Sequence, residues 1–111
     1  MFTRSLWAGD FLSDANMIPG DADVIILGEI HDNPAHHENQ ALAISKIDPK
    51  AVVFEMLTPE QAQEAGAEVR VSPEHLASAL DWADSGWPDF DLYWPLFKAV
   101  EDVPIVGAAL P

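Results

Sequence analysis

Apolar residues along the chain come in short runs, and the runs are of two kinds. Residues 24–27, 51–56 and 104–108 are apolar stretches rich in β-branched side chains and lack clean alternation. That pattern predicts parallel strands buried on both faces. Between the runs the periodicity becomes helical. Asn33-Pro34 supplies an N-cap and a first-turn proline for a helix reaching about Ile47, where Asp48-Pro49 stops it. At about 100° per residue, His36, His37, Gln40, Ala41, Ala43, Ile44 and Ile47 share one arc. Glu38, Asn39, Leu42, Ser45 and Lys46 lie opposite. The inward stripe is therefore apolar in its last two turns and polar in its first, which costs stability unless those polar groups are hydrogen-bonded or line a site.

Further helices follow from the same punctuation. Thr58-Pro59 with Gln61 reads as a capping box opening a short helix that ends near Gly66. Ser72-Pro73 opens another over 74–83, and Ser85-Gly86-Trp87-Pro88 is a loop. A last helix starts at about 92–94, tolerates Pro95 in its first turn and ends near Asp102. Residues 1–23 form a lead-in with one helical turn and a turn at Pro19-Gly20-Asp21, packing Trp7, Phe11 and Leu12 onto the core.

Strand, helix, strand, helices, strand is an α/β order. It predicts one domain over 1–111, with a three-stranded parallel sheet, helices on both faces, and the proportions of half of a larger α/β fold. A sheet ending on a strand leaves an open edge, and Trp82, Trp87, Phe90, Trp94 and Phe97 form a large aromatic set for 111 residues. The expectation is a homodimer or a missing C-terminal half that covers this surface.

Composition narrows the partners. The net charge is −14, with 19 acidic and 5 basic residues. A surface so acidic is unsuited to nucleic acid or to an anionic membrane. There is no cysteine, so disulfides, thiolate metal sites and cysteine nucleophiles are out. No signal-peptide core and no membrane-length apolar run is visible, which makes the cytoplasm the default location and leaves membrane anchoring without a signal in this chain.

The chemistry concentrates at the end of the first run. Glu29, His31, Asp32, His36 and His37 follow Gly28 within ten residues, and Glu55 follows the second run. Glu29 and His31, two apart at a strand end, can point to one side, and Glu55 leaves a neighbouring parallel strand at the same edge. A neutral imidazole suits a metal or haem iron, and a carboxylate beside it can orient the ring or act as a base. Glu and His without Cys favour Mn, Fe, Co or Zn over a soft metal. Each residue also has a plainer role open to it. Glu29 and Glu55 can serve the helices that follow them, Tyr93 can be a core residue with a bonded hydroxyl, and His75 reads as a surface residue.

At these residues the sequence resembles the ChaN-like haem-binding uptake family of the Tiki/erythromycin-esterase superfamily. The similar pieces are LGEIHDNPAHHENQ at 27–40, VVFEM at 52–56, SGWPDFDLYWPLF at 85–97 and VGAALP at 106–111. Gly28-Glu29-Ile30-His31 matches the superfamily's Gly-x-x-His signature. The resemblance implies an α/β fold, haem as cofactor and a role in iron uptake, with association to the cell envelope. It makes His31, His36, His37 and Tyr93 candidate iron ligands or close contacts. Trp87, Phe90, Trp94 and Phe97 become candidate porphyrin surface. It also implies an alternative, a metal-dependent hydrolase in which Glu29, His31 and Glu55 hold a divalent metal, with one carboxylate as base. Family members are longer and carry further His-containing segments in their second half.

Overall fold

The structure, a computed structural model, describes residues Arg4–Leu6 and 21–110. Its elements in chain order are β1 (Arg4–Leu6), β2 (Ile25–Leu27), α1 (Pro34–Ile47), β3 (Val52–Phe54), α2 (Pro59–Glu64), α3 (Pro73–Ala79), α4 (Trp94–Ala99) and β4 (Ile105–Gly107). Two 3-10 turns, Trp82–Asp84 and Phe90–Leu92, lie between α3 and α4. No helix among the described residues is long and apolar enough to cross a membrane.

Caps set the helices. The Asn33 side chain accepts from the backbone N–H of Ala35 at 3.0 Å and of His36 at 3.4 Å, and Pro34 fills the first turn. Asp48 ends α1 in the left-handed region, at φ 51°. At α2 the capping box is complete: Thr58 accepts from the Gln61 N–H at 3.1 Å, and Gln61 accepts from the Thr58 N–H at 2.9 Å. Two helices are shorter than the sequence predicts. Asp81, at φ 51°, breaks the run that was expected to continue to Ala83, and the 90–92 stretch is a 3-10 turn before α4.

All three predicted strands form, but they do not make one three-stranded sheet. β3 pairs with β4 in parallel, Val53 opposite Val106, and β2 pairs in parallel with β1, Ile26 opposite Ser5. The sequence gives no hint of β1, because Arg-Ser-Leu has neither length nor alternation. Trp7, Phe11 and Leu12 lie outside the described residues.

Burial on both strand faces is also corrected. Val53 is 62% exposed and Val106 47%, whereas Phe54 and Gly107 are buried. The strands alternate because helices cover one face only, and the described chain places nothing over the other. The aromatic set, in contrast, is folded inward. Phe54 stacks on Phe97 at 4.7 Å, Phe97 on Phe90 at 5.5 Å, and Trp82 meets both Phe90 and Tyr93. These rings form the core with Leu57, Leu76, Leu80 and Val100, all fully buried. Phe90 and Phe97 therefore offer no surface to a porphyrin, and of that expected set only Trp87 and Trp94 are part-exposed.

Gly107 is needed where β4 passes the start of α2. A Cβ there would run into the backbone carbonyls of Thr58 and Leu57. Arg70 fastens the same region from the far side. Its Nε donates to the Ala65 carbonyl at 2.6 Å, and one terminal nitrogen serves the carbonyls of Val100, Glu101 and Val103.

Candidate functional site

The site is built by α1 clasping the segment that leaves β2. Three α1 side chains hold three consecutive parts of it. Gln40 Nε2 donates to the Leu27 carbonyl at 3.0 Å, His36 Nδ1 accepts from the Ile30 N–H at 2.9 Å, and His37 Nε2 donates to the His31 carbonyl at 2.8 Å. This is why the first turn of α1 is polar on its inner side. His37 is fully buried and Gln40 partly so, while Glu38 and Asn39 face water, as the helical arc predicts.

Glu29 is drawn inward by the clasp. Its side chain is only 7% exposed. Oε1 accepts from His31 Nδ1–H at 2.6 Å, and Oε2 lies 3.7 Å from His37 Nε2. Because Nδ1 of His31 faces a carboxylate, that nitrogen carries the ring proton, and Nε2 keeps its lone pair. Among the described residues Nε2 of His31 has no hydrogen-bond partner, and the side chain is 42% exposed. Trp87 stands edge-on to the ring, centroids 4.8 Å apart at 78°. Trp87 is set by its own loop: Trp82 Nε1 donates to the Pro88 carbonyl at 2.8 Å, and Gly86 turns at φ 82°.

The other candidates are occupied differently. His36 spends Nδ1 on the Ile30 amide, which places its proton on Nε2. His37 donates from Nε2, and its buried Nδ1 has no partner among the described residues. Tyr93 is fully buried, packs on the His37 ring at 4.3 Å, and donates its hydroxyl to the His31 carbonyl at 3.3 Å. Burial first, then the negative charges of Glu29, Glu55 and Asp32, push that hydroxyl well above the usual tyrosine range. Glu55 is exposed, yet its charge reaches the Tyr93 hydroxyl together with that of Glu29. No group of three or more His, Asp or Glu side chains placed to hold a metal ion occurs among the described residues, so Glu29, His31 and Glu55 do not close into a metal set. His75 is exposed and paired with the Ser72 hydroxyl.

Sequence reasoning put Gln40 on the inner arc but missed its bond to the Leu27 carbonyl, and it missed the extent to which Glu29 is enclosed. The signal for Gln40 was its place on the inner arc among apolar residues. A separate groove of about 460 Å³ runs between α1 and α4, lined by Ala41, Leu42, Pro95 and Ala99 with Glu38 and Lys98, and carries no imidazole or phenol.

The arrangement defines a class: an α/β chain that presents an imidazole nitrogen at a strand end, backed by a buried carboxylate and flanked by an indole. The family model for haem-binding uptake proteins, Tiki superfamily, ChaN, matches residues 20–111, and the chain belongs to that family. No curated protein and no solved structure matches the chain.

Proposed function

We propose that this chain binds haem through His31 and serves haem-iron uptake. The observation that carries the reading is the orientation of His31, whose Nδ1–H is held by Glu29 while Nε2 is left to ligate. A metal-binding imidazole that donates its other nitrogen to a carboxylate is a better electron-pair donor and is fixed in tautomer and direction. The residues present therefore fit the group. Haem would supply the iron centre that accepts Nε2. Trp87, already against the imidazole, would give the porphyrin edge an apolar neighbour. His36 and His37 support the loop from behind, and Tyr93 holds the His31 carbonyl from the core.

The propionates are served sparingly. Of the five basic residues, Arg70 is committed to four backbone carbonyls. The uncovered outer face of β3 and β4, with Val53 and Val106, supports placing this chain as part of a larger α/β assembly. Either more α/β chain or a second copy would cover it.

Hemin titration tests the reading. A Soret shift that saturates in the wild type and is lost in His31→Ala, with the fold retained by circular dichroism, is the expected result. A flat titration with folded wild-type protein, or an unchanged one in His31→Ala, would sink it.

A further inference from the structure

Among the described residues Glu29 has no counter-ion. It is buried, its Oε2 has no hydrogen-bond partner, and its only charged or chargeable partners among the described residues are the two imidazoles. A carboxylate removed from water and left without a cation is costly, and a positive charge arriving nearby relieves that cost. Its Oε1 holds the Nδ1–H of the part-exposed His31 ring at 2.6 Å. The remaining charge has the same sign, −14 overall.

We infer that Glu29 makes the His31 site select ferric over ferrous haem. This rests on the haem reading above and adds which oxidation state the site prefers. The ferric porphyrin core carries one positive charge that the ferrous core lacks. Glu29 attracts that charge directly and, by drawing on Nδ1–H, makes the ring a stronger donor to the more acidic iron. The propionates are present in both forms, so their repulsion by an acidic protein cancels in the comparison. Across a partly buried distance of several ångströms one charge pair suffices for a preference of about tenfold or more.

Redox-inert analogues separate the effect from haem chemistry. Gallium(III) protoporphyrin IX carries the ferric core's charge, and zinc(II) protoporphyrin IX carries none. Fluorescence titrations of both on the wild type and on Glu29→Gln give the result directly, because Gln still accepts from Nδ1–H and keeps the ring in place. The substitution should weaken gallium binding about tenfold while leaving zinc binding nearly unchanged, and should raise the reduction potential of the hemin complex by about 59 mV for that tenfold change. Equal losses for both porphyrins would show that Glu29 only orients the ring, and no loss for either would show that its charge is not felt; both outcomes overturn the inference while the haem reading stands. Binding of neither porphyrin by the wild type would remove both. A second variant guards against misfolding. His31→Gly supplied with imidazole should keep the gallium preference, and with N-methylimidazole, which cannot donate to Glu29, should keep the part that comes from direct attraction by the Glu29 charge. Loss of the gallium preference with both ligands in the folded variant overturns the inference as well.

Discussion

Nε2–H of His37 donates to the backbone carbonyl of His31 at 2.8 Å, so a fully buried helix residue sets where a part-exposed one stands. The contact joins the core to the site. The rings of Phe54, Phe97, Phe90, Trp82 and Tyr93 pack in succession up to His37, and Tyr93 bonds the same carbonyl.

His37→Ala should therefore act at a distance. It opens a cavity and deprives the His31 carbonyl of its shorter hydrogen bond, a combined cost of about 2–4 kcal/mol. Hemin affinity should fall although His37 is not on the surface. Urea denaturation and hemin titration of the same variant check both. Unaltered affinity in a destabilised but folded variant would separate core from site.

Gly107→Ala should be among the most damaging small substitutions in the chain. The added methyl meets the carbonyls of Thr58 and Leu57, backbone atoms that cannot swing aside. Overpacking of this kind costs about 1–3 kcal/mol or more. It should also loosen the capping box, since Thr58 is its N-cap. The drop in melting temperature relative to Gly86→Ala, where the strain is the positive φ and open space surrounds the Cβ, is the measurement.

These positions mark how far the sequence could be read. Local chemistry was legible: Asn33 and Thr58 cap as their types and spacing require, and the arc of α1 puts His37 and Gln40 inside. The pairing of Glu29 with His31 was legible as well, because two residues at a strand end share a side. What depends on distant partners was not. Nothing in Val53 or Val106 says that only one face of the strands is covered, and nothing in Arg4–Leu6 says that it pairs with β2. Tyr93 among aromatic neighbours suits either a core or a cofactor surface until the His31 carbonyl is seen above it.

Arg70→Lys should not substitute for arginine. Four carbonyls are served from two nitrogens of one planar group, Nε toward Ala65 and Nη1 toward Val100, Glu101 and Val103. A lysine ammonium has no such fork and cannot reach both sides at once. Both Arg70→Lys and Arg70→Ala should cost about 2–3 kcal/mol by chemical denaturation, as expected for charged donors leaving part-buried carbonyls unpaired. Rescue by lysine to within a few tenths of wild type would show that charge alone matters there. Hemin binding should be intact in either variant, because Arg70 holds the end of α4 and not the His31 loop.

Tyr93→Phe gives a prediction with a definite pH sign. The phenol is buried, and the negative charges of Glu29, Glu55 and Asp32 act on it, so its pKa in the folded chain is raised above the ordinary value of about 10. A raised pKa on an acid means the folded state holds the proton more tightly than the unfolded state does. The resulting stability is fully present below about pH 10 and is lost as pH climbs from there toward the folded-state value. At neutral pH the variant lacks only the 3.3 Å bond to the His31 carbonyl, which His37 still serves, so it should be less stable than wild type by about 1 kcal/mol. Above pH 10 the wild type should lose stability faster than Tyr93→Phe, because only the wild type has a phenol that ionises on unfolding. Denaturation midpoints measured from pH 8 to 11 should therefore converge and then cross. Parallel curves over that range would mean that the hydroxyl titrates normally and is not enclosed as the structure has it.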